Sequence, residues 1–138
     1  MDHFLSPVLA LIIWSLIVWI ILYARRIPLL GKADLGTDDA KSPNGTWRQA
    51  LPLKVEAPAH NYNHLMEQPT IFYALMFFLF LVQTGSSVSL YLAWVYVALR
   101  IIHSLIQINS GPVKVRFLIF ALSTFCLIGM VASYFCLG

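Results

Sequence analysis

Hydrophobic residues along the chain fall into four long runs, which cover residues of about 7–24, 65–84, 88–108 and 115–137. Each run is close in length to the ~20 apolar residues that a helix needs to cross ~30 Å of hydrocarbon. Short polar stretches separate the last three runs, whereas a long polar stretch follows the first. The pattern predicts four transmembrane helices.

The connections between the runs predict how these helices are arranged. Gln83–Ser87 and Asn109–Pro112 form short, uncharged links, and short links force successive long helices to lie antiparallel. The stretch of about 25–64 is rich in Pro, Gly, Asp and Asn, so we predict a loop outside the membrane. Pro58 could begin the second helix early, since proline suits a first helical turn. We therefore predict an all-α, integral membrane four-helix bundle, with residues 1–138 as a single membrane domain.

The composition supports a membrane protein. Hydrophobic residues make up 59% of the 138 residues and charged residues 11%, and the mean hydropathy is +0.77. A soluble domain carries roughly 25% charged residues. The formal net charge is +3, but most basic side chains lie beside the predicted spans, where they report topology. We therefore expect contact with membrane lipids and no nucleic-acid partner.

The positions of Lys and Arg predict the orientation in the membrane. Six of them lie in the long loop, Lys114 and Arg116 follow the last short link, and none precedes Pro7. The positive-inside rule then places both basic loops in the cytoplasm and both termini outside. The sequon at Asn44–Thr46 would face the cytoplasm, away from the glycosylation machinery. The first run lacks the basic flank of a cleavable signal peptide, so we interpret it as a retained span.

Two groups of polar residues fall at helical spacing near the predicted cytoplasmic side. His60, Asn63, His64 and Glu67 share one face at the start of the second span, and Arg100, His103 and Gln107 share one face of the third. An unpaired guanidinium within a span costs at least ~2.5–3.5 kcal/mol. We therefore predict an ion pair between Arg100 and Glu67 that faces the bundle interior.

Each of these groups also has a purely structural interpretation. The histidines could form a polar cap at the membrane interface, and the ion pair could serve stability alone. Lys114 and Arg116 could anchor the fourth span by reaching the headgroups, or Arg116 could point inward. No Cys lies near the histidines, and the predicted second helix carries no second carboxylate, so we predict no metal site. A phosphate loop and a Ser/His/Asp pattern are also absent from the sequence.

The segment Asn63–Pro69, followed by Arg100–His103 and then Arg116, resembles the MAPEG family of membrane-associated proteins in eicosanoid and glutathione metabolism. The resemblance covers nearly the whole chain, and Asn63–Leu75 looks most like a poorly characterised bacterial branch. It implies a homotrimer in the bacterial inner membrane, with glutathione bound between subunits at the cytoplasmic face. A lipophilic small molecule would reach the site from the bilayer.

The same resemblance implies roles for individual residues. Arg116 would be the catalytic residue that steadies the glutathione thiolate, since a nearby guanidinium lowers the pKa of a thiol. The glutathione-binding residues would be Asn63, His64, Glu67, Arg100, His103 and Gln107. The chain departs from the family in having Gln107 and Phe120 where well-studied members carry tyrosines, and in lacking the arginine of an Arg-Asn pair.

These observations predict a glutathione-dependent transferase or peroxidase that acts on lipophilic electrophiles. The alternative is a non-catalytic membrane module of the same fold that binds a lipid-soluble ligand or a partner protein, and the missing tyrosines favour it. A small transporter or channel subunit is disfavoured, because the spans lack the pattern of helix breaks that marks transporter sites.

Overall fold

A computed structural model of the protein describes residues 3–30 and 53–137. These residues form helices α1 (Ser6–Leu30), α2 (Leu53–Leu81), α3 (Ser87–Ile108) and α4 (Val113–Leu137). No strand occurs within the two described ranges. All four helices are long and apolar enough to cross a membrane. The predicted all-α, multi-pass architecture is therefore confirmed.

The helices extend further into the polar stretch of 25–64 than the hydrophobic pattern predicts. α1 continues to Leu30, and α2 already begins at Leu53. Hydropathy marks only the part of a helix that lies in hydrocarbon, whereas backbone hydrogen bonding can continue into polar sequence beyond it. Pro28 lies in the last turn of α1 and Pro58 within the first two turns of α2, so each removes a backbone N–H donor close to a helix end rather than in the middle of the helix. The predicted sequon lies outside the described residues.

One end of the bundle gathers basic residues from α1 and α4, and we call it the basic end. Arg25 Nη1 donates to the Ile108 carbonyl at 3.4 Å, which joins the last turns of α1 and α3. A cavity at this end is lined by Ala57 near the start of α2 and by Val113 and Arg116 at the start of α4. The four helices therefore alternate in direction, as the short links predict.

The opposite end closes with a tight link between α2 and α3. Gly85 packs against the Phe4 ring, and a Cβ atom at this position would lie 2.7 Å from a ring carbon. Ser86 caps α3 by accepting a hydrogen bond from the Ser89 backbone N–H at 3.1 Å. The Ser89 and Ser133 hydroxyls are 2.7 Å apart and join α3 to α4. The three serines at this end therefore bond to one another, whereas the Thr84 hydroxyl is buried without a partner among the described residues.

Aromatic and aliphatic side chains fill the middle of the bundle. The Phe72 and Tyr96 rings stack with their centroids 4.6 Å apart, and Leu65, Met76 and Met130 are fully buried around them. Large apolar side chains also cover the outside of every helix. An apolar surface of this extent is unusual for a soluble monomer, and it matches a hydrocarbon environment. α4 packs mainly on α3 and α1 mainly on α2, while α2 and α4 meet sparsely.

Candidate functional site

A stripe of polar side chains runs along the inner face of α3 towards the basic end. Arg100, His103, Ser104 and Gln107 are all buried, and their spacing places them on one side of the helix. The structure thus brings the three predicted α3 residues together and adds Ser104, which the sequence analysis missed. Nε and Nη1 of Arg100, His103 Nδ1, Ser104 Oγ and Gln107 Oε1 have no hydrogen-bond partner among the described residues.

Arg100 is the most unusual member of this stripe, because only 1% of its surface is exposed. Its Nη2 atom donates to the His64 carbonyl at 3.3 Å, and its guanidinium carbon lies 5.5 Å from the centroid of the Phe120 ring. No carboxylate lies within ion-pair distance of it in residues 3–30 and 53–137. The cation is therefore buried with no carboxylate of the described residues in contact with it.

The predicted ion pair between Arg100 and Glu67 is not formed. Glu67 Oε2 lies 3.7 Å from His64 Nδ1 instead, and the Glu67 side chain is 71% exposed. The reason is the orientation of α2, whose buried face carries Asn61, Leu65 and Phe72. Glu67 is six positions beyond Asn61, which rotates it well away from that face.

Asn61 is the polar residue of α2 that points inward, and the sequence analysis missed it. Its side chain is 0% exposed, and neither amide atom has a partner among the residues described. His60 and Asn63, by contrast, are exposed, and His64 is partly buried. The spacing from Ala57 through Asn61 to Leu65 follows a helical period and was the available signal.

The first cavity at the site occupies about 320 Å³ and has a polar wall and an apolar wall. His64, His103 and Arg116 supply the polar side chains from α2, α3 and α4. The apolar wall consists of Val113, Phe117 and Phe120, all from α4. The His64 and His103 rings meet edge to face with their centroids 6.0 Å apart. Three helices therefore present ionisable groups to one space.

A second cavity of about 280 Å³ lies beside the first, at the basic end. Gln107 lines it with His60 and Ser110, and Arg116 lines both cavities. Arg116 therefore stands between a polar opening at the basic end and an aromatic space further along α4. Asn63 and Glu67 line neither cavity.

The arrangement of the spans and the site can be compared with known protein families. The MAPEG family model matches residues 4–136, which is nearly the whole chain. The chain belongs to the MAPEG family. The family predicted from the Asn63–Pro69 segment and the arginines is thus confirmed, whereas no curated protein and no solved structure matches the chain.

The chemistry open to this MAPEG protein follows from the residues around its first cavity. A guanidinium and two imidazoles can hold an anionic or polar group, while the aromatic wall can hold a lipophilic one. Ligand pockets of about 300–1,000 Å³ typically combine an apolar lining with a few polar groups in this way. Within the described residues, no three His, Cys, Asp or Glu side chains come together to hold a metal ion.

Proposed function

We propose that this MAPEG protein binds glutathione at the basic end of the bundle and activates its thiol for attack on lipophilic electrophiles. It would act as a transferase or a peroxidase. The observation that carries the proposal is the cavity in which Arg116, His64 and His103 face an aromatic wall on α4. Such a site holds a polar thiol and an apolar acceptor side by side.

The unpartnered buried groups support a ligand with carboxylates. Two nitrogens of Arg100, Nε and Nη1, have no partners among the described residues, and a buried polar group left in this way costs about 1–3 kcal/mol. Glutathione carries two carboxylates, either of which could offset this cost by a charge-assisted hydrogen bond. Arg116 would then lie at the thiol, where its charge favours the thiolate.

The apolar wall supports an acceptor that arrives from the bilayer. Phe117 is 72% exposed on the outer surface of α4, yet it also lines the cavity. A lipophilic molecule in the membrane could therefore reach Arg116 without passing through water.

The proposal also covers how the subunits assemble and how the protein is oriented in the membrane. The basic end would face the cytoplasm of a bacterial inner membrane, as the positive-inside rule predicts. A homotrimer would place another subunit beside the exposed Glu67 and the sparse junction of α2 and α4. Groups from that subunit, together with glutathione, would supply the hydrogen-bond partners that the buried polar side chains of α3 lack.

Glutathione binding to purified protein in lipid nanodiscs, measured by calorimetry, tests the proposal. Wild type should bind at millimolar concentrations or below and should catalyse addition of glutathione to a lipophilic aryl electrophile. Arg116→Ala should lower the rate by about 10²–10³-fold, the usual cost of one lost transition-state donor. Lys114→Ala is the matched control, because Lys114 is an exposed cation on the same turn that lines neither cavity.

A non-catalytic membrane module is the second candidate, and Phe120 favours it. Phe120 lies beside the Arg100 guanidinium and has no hydroxyl that could donate to a thiolate. In that case wild type would show no binding of millimolar glutathione, while a fluorescent lipophilic probe would still compete for the aromatic wall. Binding of glutathione with an unchanged rate in Arg116→Ala would reject the catalytic role of that arginine.

A further inference from the structure

We propose that His64 is the general base that removes the thiol proton in this protein, with Glu67 as the residue that positions it. The inference rests on the proposed function and assigns a step to a site whose ligand-holding groups are described above. The sequence analysis placed both residues among the glutathione-binding residues and gave His64 no chemical role.

The geometry of His64 leaves one ring nitrogen available to a ligand. Nδ1 lies 3.7 Å from Glu67 Oε2, which is beyond hydrogen-bond distance, but the negative charge of the carboxylate on that side of the ring favours the tautomer with its proton on Nδ1. Nε2 of the neutral ring is then the proton acceptor. Because His64 lines the cavity together with Arg116, a thiol beside the guanidinium would lie within reach of the imidazole.

The part of α2 around His64 is held to α3 and α4. Arg100 of α3 donates to the His64 carbonyl at 3.3 Å. One turn further along α2, Gln68 Nε2 donates to Thr124 Oγ1 of α4 at 2.8 Å. These bonds fix the position from which the imidazole projects into the cavity, and a base acts only when it is held within reach of its proton.

His103 is the other imidazole in the cavity, and its surroundings suit the role less well. It is buried on α3, and its Nδ1 atom has no partner in the described part of the chain. No described carboxylate is within ion-pair distance of it. A base that accepts a proton becomes a positively charged imidazolium. At His64 the Glu67 carboxylate would stabilise that charge, whereas at His103 no carboxylate of the described residues lies close enough to do so.

The proposed step balances as follows. The S–H bond of glutathione breaks as its proton moves to Nε2 of His64, and the electron pair stays on sulfur as a thiolate beside Arg116. The thiolate then forms an S–C bond with the electrophile as the bond from that carbon to its leaving group breaks or, in an addition, as the π bond breaks. The imidazolium returns its proton to the leaving group, or to the carbanion in an addition, which restores neutral His64.

Four variants test this assignment in nanodiscs: His64→Gln, His64→Ala, Glu67→Gln and the control His3→Gln at the opposite end of the bundle. Each is assayed for glutathione binding by calorimetry and for the transferase rate. We expect His64→Gln to bind glutathione within about threefold of wild type but to react about 100-fold more slowly, the lower range for a lost general base. Glu67→Gln should lose about fivefold, because an exposed ion pair contributes little.

Rescue separates a base from a structural residue. Added imidazole should raise the rate of His64→Ala at least about tenfold, since the small base can enter the space left by the side chain, and it should leave His3→Gln at the wild-type rate. A His64→Gln rate within twofold of wild type, a parallel loss of glutathione binding, or no rescue by imidazole would each overturn the inference. Absence of glutathione binding by wild type would overturn the proposed function as well.

Discussion

The two halves of the bundle differ in how far their buried polar groups are paired. Near the link between α2 and α3, Ser86, Ser89 and Ser133 bond to one another and to the backbone. Near the basic end, Arg100 and Asn61 are almost fully buried, yet each has side-chain atoms with no hydrogen-bond partner among the described residues. The Thr84 hydroxyl is an exception near the link, because it is buried without a partner among the described residues. The comparison teaches that the serines of the first half are paired within the chain, whereas the second half leaves a buried cation and a buried amide without a full set of partners among the described residues.

The apolar middle of the bundle adjoins the half whose serines are paired, and a substitution there should give the largest change in stability. Phe72→Ala removes one ring of the stack with Tyr96 and should lower the free energy of unfolding by about 3 kcal/mol, mainly through the cavity left behind. Unfolding in mixed micelles with denaturant measures the loss. A change below about 1 kcal/mol would show that this stack does not hold α2 to α3.

Arg100→Met tests the incomplete half and should have the opposite sign. Removing a buried charge that lacks a counter-charge among the described residues should raise stability without ligand by about 2 kcal/mol. The same variant should lose the stabilisation that saturating glutathione gives to wild type, which is about 2.7 kcal/mol at 100 times the Kd.

Arg100→Lys is the matched control for this substitution. Lysine keeps the charge but not the planar pair of donors. The stability without ligand should therefore stay below that of Arg100→Met, and glutathione binding should weaken. A loss of stability in Arg100→Met would contradict the idea that the guanidinium is held in place for a ligand or a neighbouring subunit.

Ser133→Ala should give the smallest change in the free energy of unfolding. It removes the hydroxyl that meets Ser89 at 2.7 Å, and interhelical hydrogen bonds in membrane proteins average about 0.6 kcal/mol. Glutathione binding should be unchanged, because the site lies at the other end of the bundle. Binding that falls along with stability would mean that the two halves are coupled rather than independent.

The sequence predicted four helices that are long and apolar enough to cross a membrane, because hydropathy reports directly which segments favour hydrocarbon. It also predicted that Arg100, His103 and Gln107 share the inner face of α3, since one helical period and an intramembrane cation define that face. The sequence was less informative about the lengths of the helices. α2 begins well before its apolar part, because its first turns consist of polar residues and Pro58, which give no hydrophobic signal.

The direction of Glu67 could not be predicted from the sequence for a different reason. Near the basic end, α2 has polar residues on two faces, one through His64 and Glu67 and one through Asn61. Only packing against α1 and α3 decides which face turns inward, and the apolar stripe from Leu65 to Phe72 selects Asn61. The expected need of Arg100 for an anion was sound in physical terms, but the structure does not meet it with Glu67.

A structure of the protein in nanodiscs with saturating glutathione tests the central claim most directly. The account predicts a glutathione carboxylate within hydrogen-bond distance of Arg100 and the sulfur beside Arg116, on the side of the cavity that His64 lines. A glutathione-free cavity at saturation, or density at a surface away from the stripe on α3, would contradict it.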